Sequence, residues 1–424
     1  MSADRAAAAT VVPGTAASPD PGPSLLYITN GFPFPLTSGY LRHYHLIGQL
    51  ARLGYRVTLL SIVGRDHRPE DIAGMSDRTV GVEVFKSADR ARGRASTFRR
   101  RLQRVLPVGG DPAARQLAAR ARELMASGNV DAVVFSGKRT DAALPSLGDL
   151  PVVVDMCDAT SLRLERELAV TSGTRRLALI IQRRQVRRTE ARMLRRADRS
   201  IFASERDREA LLPGQSETSA IVPNGVDLDY WQRDGHPLGR DELVFTGAMG
   251  YGPNVDAAVR LARHILPLVH AERPSAHLSI VGRDPVPEVI ALGSLPNVTV
   301  TGSVPDVRPY LAGASVFVAP LRFGAGIQNK LLEAMAMEVP SVVSPLAADG
   351  LRTADGSPPV VVAGDDVASA REVVRALRAA DEEPVPDAAA RAYVERSFSW
   401  PRSGRDLAGL IEAARDQRRR ADGG

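Results

Sequence analysis

One cysteine, Cys157, stands in the 424 residues. That excludes an intrachain disulfide and any zinc cluster built on several thiolates. Its neighbours in "VVVDMCDATS" read it as a small buried hydrophobe rather than a nucleophile. Long apolar runs are also missing, and nothing approaches the roughly 20 residues of a membrane-spanning helix. The chain therefore reads as cytoplasmic unless it is recruited to a surface. Aromatic residues make up only 5% and no nucleic-acid motif occurs, so the net charge of +6, mostly arginine, does not point to a nucleic-acid partner. The start, "MSADRAAAATVVPGTAASPDPGPS", lacks the basic region and apolar segment of a signal peptide. Its Ala, Pro, Gly and Ser content reads as a disordered tail over 1–23.

What is present fits a soluble protein with two or three cores: 44% apolar and 25% charged residues. Short β-branched and aliphatic runs alternate with longer helical stretches. In the first half the strand candidates are "LLYIT" from 25, "RVTLLSIV" from 56, "VEVF" from 82, "DAVVF" from 131, "VVVDM" from 152, "SIFAS" from 200 and "AIVPN" from 220. In the second half they are "LVFTGA" from 243, "LSIVG" from 278, "VTVTG" from 298, "VFVAP" from 316, "SVVSP" from 341 and "PVVVAG" from 359. Segments such as "SGYLRHYHLIGQLARLG" and "AARQLAARARELMASG" have helical periodicity and end at glycine. The alternation predicts two α/β units, each a parallel sheet covered by helices. Ligands of such sheets bind beyond the carboxyl ends of the strands, so the loops that follow strands carry the argument.

Five loops stand out. In "NGFPFPLTSGYLRHYH", Gly39 either lets an anion approach the amides of the helix start or belongs to an ordinary turn. His43 and His45, two apart, face different sides of a helix and do not form a metal pair. In "DMCDATS", Asp155 and Asp158 follow a strand; Asp158 either accepts from substrate hydroxyls or caps the next helix, and Ser161 is expected to be the cap. "VPNGVDLDYW" holds Asp227-x-Asp229, a pattern that carries a divalent metal in one class of nucleotide-sugar enzymes, here embedded in a turn and read as no metal site. "TGAMGYGPNVDA" resembles a dinucleotide fingerprint with poor spacing, and Arg283 follows the next strand where an acid is needed, which disfavours a nicotinamide cofactor.

The fifth is "LRFGAGIQNKLLEAMA". Leu331, Leu332, Met335 and Ala336 recur at helical spacing and are expected to pack inward, leaving Lys330 and Glu333 together on another face, toward solvent or a ligand. Arg322, Gly324, Gly326 and Lys330 suit an anion: glycines permit close approach, helix amides donate, and two cations neutralise a diphosphate. Glu333 suits ribose hydroxyls.

Together these stretches resemble the family 4 glycosyltransferases of the GT-B fold, retaining enzymes that use nucleotide diphosphate sugars, most of all the "GIQNK-LEAMA" type associated with surface polysaccharide and glycoconjugate synthesis. The resemblance rests on "LTSGYLRHYHLIGQLARLGYRVTLL", "VPNGVDLDYW", the run from "IVGRDPVPEV" to "AMAMEVPSVVS", and "SFSW", and it covers nearly the whole chain beyond the tail. It implies two Rossmann-like domains facing each other across a cleft: an acceptor-binding domain over 24–223, a junction over 224–241, a donor-binding domain over 242–400, and a C-terminal helix over 401–424 returning to the first domain. It implies a hexosyltransferase-type reaction, metal-independent and without cofactor, from a nucleotide-sugar donor to a hydroxyl acceptor, free or lipid-linked. The arginine-rich helices of the first half are either solvated faces or a peripheral membrane contact.

By the same resemblance Glu333 holds the donor ribose, Gly326, Ile327 and Gln328 present amides to the donor, Gly39 meets the diphosphate, and Val304 lies by the base. The signature departs from the family at Ala325, where a first glutamate is expected, and at Ala248 and Pro253, where many members carry Arg and Lys. Arg322 and Lys330 are expected to supply that charge, and Asp158 stands nearest to the missing histidine of the first domain. A nucleotide-sugar epimerase of the same fold and a non-catalytic sugar-nucleotide binder are the rival readings.

Overall fold

Along strand Ser24–Thr29, Leu25 and Tyr27 fall in one hydrophobic cluster while Leu26 and Ile28 fall in another, so both faces of the strand are buried. This is why the strand reads as an unbroken apolar run: a parallel sheet covered on both faces has no wet side. The computed structural model describes residues 10–13, 22–34, 40–63, 69–87, 112–215, 217–233, 235, 238–324, 326–353 and 356–422.

The chain divides into two units, one of residues 1–203, 207–222 and 400–424, the other of 204–206 and 223–399. In the first, the described strands are β1 (Thr10–Pro13), β2 (Ser24–Thr29), β3 (Arg56–Val63), β4 (Gly81–Lys86), β5 (Ala132–Ser136), β6 (Val152–Cys157), β7 (Arg199–Phe202) and β8 (Ser219–Ile221). They form one sheet in the order β1-β4-β3-β2-β5-β6-β7-β8. All neighbours are parallel except β1, which runs antiparallel to β4 with Thr10 opposite Val84. Four residues of the stretch read as a disordered tail therefore extend the sheet: "TVVP" is β-branched enough to pair with an edge, a signal outweighed in the sequence by the surrounding Ala, Pro and Gly.

The second unit holds β9 (Glu242–Thr246), β10 (His277–Val281), β11 (Val298–Gly302), β12 (Val316–Ala319), β13 (Ser341–Val343) and β14 (Val361–Val362), all parallel, in the order β11-β10-β9-β12-β13-β14. In both units the order reverses beside the first long strand, β2 or β9, which opens a crevice at that strand's carboxyl end. The strands read from the sequence are all present.

Helices end where the glycines predict: Leu41–Arg52 is followed by Gly54 at φ +90°, and Pro112–Ala126 by Gly128 at φ +71°. The helical stretch after β9 is interrupted by a π turn over Leu261–Ile265, just before Pro267, whose missing N–H cannot continue the α ladder. The helix Trp400–Asp422 clusters with the first unit and packs on Leu41–Arg52. Trp400 stacks on His45 at 4.4 Å, and Leu407, Ile411 and Ala414 join the cluster of Leu46, Ile47 and Leu50.

Candidate functional site

β12 delivers the chain to the carboxyl end of the second sheet. The loop then needs glycine: Gly324 has φ +158° and Gly326 has φ +67°. Helix Asn329–Ala336 begins after Gln328 with no side-chain cap, so its first amides are available to an acceptor from outside the helix. Leu331, Leu332, Met335 and Ala336 are buried, as their spacing requires. Lys330 and Glu333 are half-buried on the remaining face.

That pair is not a surface salt bridge. Lys330 Nζ donates to Gln328 Oε1 at 3.1 Å, and among the described residues the Glu333 carboxylate has no hydrogen-bond or ion-pair partner. Burial pushes Glu333 up to about 7, with Lys330 opposing; burial likewise pulls Lys330 down to about 8, with Glu333 opposing. A desolvated cation and a carboxylate with no donor around it are set to meet a ligand that carries both negative charge and hydroxyls.

The strand β9 supplies the other wall. Gly247, at φ +150°, is so crowded that a Cβ there would lie 2.7 Å from Asn254 Nδ2 and 3.4 Å from Lys330 Cε. A Cβ on Gly282 would sit 1.7 Å from the Gly247 carbonyl oxygen. The glycines of the fingerprint-like loop thus serve close approach of two strand ends and of the Lys330 stem, not a dinucleotide turn. Asn254 is buried and donates to the Ala248 carbonyl at 3.0 Å, while its Oδ1 and the buried Thr246 Oγ1 have no hydrogen-bond partner among the described residues. Sequence reading passed over Asn254 and Thr246; a polar residue at a strand end and another at the following helix start were the available signals.

Arg322 does not join Lys330. Its guanidinium takes Asp256 through two hydrogen bonds, Nε to Oδ2 at 2.9 Å and Nη2 to Oδ1, with the side chain 46% exposed. Asp256 raises its pKa further above the usual range. Ile327 and Val304 are half-buried against the unit's core. Arg206 Nη2 donates to the Gly326 carbonyl at 3.0 Å, and Asn224 Nδ2 to Asn329 Oδ1 at 2.9 Å, so the "VPNG" turn secures the helix start. Asp227 and Asp229 are exposed, and Asp227 Oδ1 closes its turn on the Tyr230 amide at 3.1 Å. Ala325 and Gly39 lie outside the described residues.

In the first unit Asp158 directly follows β6, a third exposed, and accepts from Thr160 Oγ1 at 2.8 Å and Lys138 Nζ at 3.4 Å. Ser161 is not the expected cap. Helix Thr160–Ala169 follows Ala159, and the Ser161 amide is instead satisfied at 3.2 Å by Glu190, which projects from the long helix Gly173–Arg196. Lys138 lies 3.7 Å from Glu190 as well. Asp155 is buried against Arg42 at 2.8 Å. His43 is a core group: Tyr27 OH is 3.0 Å from Nδ1, Ser136 Oγ 3.3 Å from Nε2, and burial pulls its pKa to about 4, so the ring is neutral. Lys138 lies in the loop two residues past β5 and carried a signal; Glu190 and Arg42 carry no such signal.

Residues 240–379 match the model of the family described as "Glycosyl transferases group 1". No curated protein matches the chain at the sequence level. Among solved structures, sucrose-phosphate synthase from Thermosynechococcus elongatus is similar with a TM-score of 0.64 at 14% identity, covering 92% of this chain and 98% of that one. HepE of Anabaena, in complex with UDP and glucose, gives 0.60 at 14% identity, with 92% and 99% covered. A glycosyltransferase from Rickettsia africae gives 0.60 at 10% identity, with 93% and 99% covered. The two-unit Rossmann-like architecture is the GT-B fold.

Proposed function

We propose that this protein is a glycosyltransferase of the family 4 type. It moves a sugar, a hexosyl group in our reading, from a nucleoside diphosphate donor to a hydroxyl acceptor with retention of configuration. The observation that carries the proposal is the Lys330 and Glu333 face: half-buried, not paired to each other, and bordered at Gly247 by Asn254. The family match over 240–379 encloses all of these residues.

In this reading the Lys330 ammonium and the amides of Gly326, Ile327 and Gln328 take up the charge that grows on the departing diphosphate, as fixed donors in a desolvated site do best. Gly39 adds an amide from the first unit. Glu333 accepts from the ribose hydroxyls, and Val304 packs by the base. Arg322 contributes only where the ligand competes with Asp256 for it. The acceptor hydroxyl attacks the anomeric carbon on the face from which the diphosphate leaves. Its proton passes to a diphosphate oxygen, so no protein base or metal is needed. Asp158, held by Lys138 and Thr160, orients the acceptor. The acceptor is lipid-linked and the product feeds a surface polysaccharide or glycoconjugate, with transfer in the cytoplasm.

UDP-, GDP- and TDP-sugars screened by thermal shift identify the donor, since a bound ligand raises the midpoint with its saturation. UDP comes first because the Anabaena neighbour holds it. A donor that stabilises the wild type and equally the Lys330→Ala and Glu333→Ala variants would overturn the site. Incubation of the donor without acceptor separates the epimerase reading, which Ala325 in place of a carboxylate favours: an epimerase turns over, whereas a transferase leaves the sugar unchanged.

A further inference from the structure

Lys330 brings a single positive charge to the proposed donor site, and burial pulls its pKa down to about 8. A nucleoside diphosphate is negative on each phosphate, so a second cation of the same unit is needed to match it. Most arginines around the carboxyl ends of the second sheet are committed to structure. Arg308 closes on Asp306 through Nε at 2.9 Å and Nη2 at 2.7 Å, and on the Tyr230 carbonyl at 3.1 Å. Arg260 takes Asp366 and the Pro320 carbonyl, and Arg206 takes the carbonyls of Gly326 and Leu346. Arg322 is held by two hydrogen bonds to Asp256, whose side chain is only 18% exposed.

Arg283 differs from these four. It lies two residues past β10, and among the described residues its guanidinium meets only the adjacent Asp284, through one hydrogen bond of 2.5 Å. Arg283 is 43% exposed and Asp284 66%, so the pair contributes little and a ligand can displace it. The backbone fixes where this guanidinium starts. β9 and β10 run parallel with Thr246 opposite Val281, and the pairing continues past both strands: the Gly247 amide donates to the Val281 carbonyl at 3.0 Å and the Met249 amide to the Arg283 carbonyl at 2.8 Å. Gly247 also abuts the Lys330 stem, since a Cβ there would lie 3.4 Å from Lys330 Cε. Summed along this path, the Arg283 Cα lies within about 14 Å of Lys330 Cε, a gap that an extended arginine and a diphosphate together span.

We propose that Arg283 is the second cation of the donor site: its guanidinium leaves Asp284 and takes phosphate oxygens of the nucleoside diphosphate whose other charge Lys330 meets. The inference rests on the donor-site reading of Lys330 and Glu333. The planar guanidinium fork suits two oxygens of one phosphate, which an ammonium cannot bind in that way. In Rossmann-like sheets the residue after the second strand reaches the ribose of a bound nucleotide, and an arginine there receives a phosphate. Asp284 stands at φ +55°, in a turn that keeps its carboxylate beside the guanidinium. It therefore competes with the ligand for Arg283.

The test is calorimetric titration of the full chain with UDP, GDP and TDP, followed by the tightest of them and its phosphate-free nucleoside on the variants. Arg283→Gln is expected to weaken the nucleotide by about 10- to 100-fold and to leave the nucleoside unchanged, a split that a purely structural arginine does not produce. Arg283→Lys is expected to recover part of the loss, and Asp284→Asn to tighten the nucleotide several-fold. Arg371→Gln, on helix Asp366–Glu382 and 70% exposed, is expected to bind as wild type. Thermal midpoints confirm that the variants are folded. Nucleotide affinity that falls in Lys330→Ala but not in Arg283→Gln, an equal loss for nucleoside and nucleotide, or weaker binding in Asp284→Asn would each overturn the assignment of Arg283 and leave the donor site standing. No binding of any of the three nucleotides, or binding indifferent to both Lys330→Ala and Arg283→Gln, would overturn the donor site and this inference with it.

Discussion

The Lys330 ammonium and the Glu333 carboxylate, one helical turn apart on the same half-buried face, do not bond to each other; Lys330 bonds to Gln328 instead. Each is displaced toward its neutral form, Glu333 up to about 7 and Lys330 down to about 8. The site is thus least comfortable between these two values, where both groups are charged and both are held partly out of water.

That discomfort has a sign at each end. Glu333 is raised, so its contribution is intact below its unfolded value near 4.5 and is lost as pH rises toward 7. Lys330 is depressed, so its contribution is present above about 10.5 and is lost as pH falls through 8. Thermal unfolding of Glu333→Gln, subtracted from wild type between pH 4 and pH 10, should show the variant gaining on the order of 1–3 kcal/mol as pH passes from 4.5 to 7. A flat difference would mean that the carboxylate is not desolvated.

If the proposed diphosphate binds at Lys330, its charge favours the protonated ammonium. Calorimetry of UDP binding near pH 8 in two buffers of different ionisation enthalpy should show proton uptake. Lys330→Ala should abolish the uptake and weaken binding by about 10- to 100-fold, the worth of a charge-assisted hydrogen bond. Unaltered affinity would remove Lys330 from the site.

Asp256 competes with any ligand for Arg322. Asp256→Asn should tighten nucleotide binding several-fold and change stability by less than about 1 kcal/mol, since the pair is partly exposed. Weaker binding on that substitution would show that the ion pair itself builds the site.

Gly247→Ala places a Cβ 2.7 Å from Asn254 Nδ2, at a φ of +150°. Urea unfolding should register a loss of about 1–3 kcal/mol, accompanied by weaker donor binding. Gly364→Ala, with nothing within 4 Å, should be close to neutral. Equal effects at both glycines would contradict the crowding described around Lys330.

Much of this was readable one residue at a time. The unbroken apolar run of β2, glycines after helix ends, and the inward stripe of Leu331, Leu332 and Met335 are local patterns, because each depends only on near neighbours along the chain. The carboxyl ends of β9 and β12 as the place to look followed from the alternation alone. Arg322 as a companion to Lys330 was a reading by proximity in sequence, and Asp256, 66 residues away, holds it instead. Ser161 as a cap was read from the helix start, and Glu190, 29 residues away, satisfies that amide.

The division follows from physics. The order of apolar and polar residues determined the strands, the helices and the face on which Lys330 and Glu333 sit, because each depends on neighbours within a turn or two. Only the folded chain decided which charges meet. An ion pair or a desolvated carboxylate is made by elements that packing brings together from distant parts of the sequence, and its energy depends on burial that no local pattern contains. Sequence placed the lysine and the glutamate on one face; the tertiary structure bonded Lys330 to Gln328 rather than to Glu333 and set its stem against Gly247.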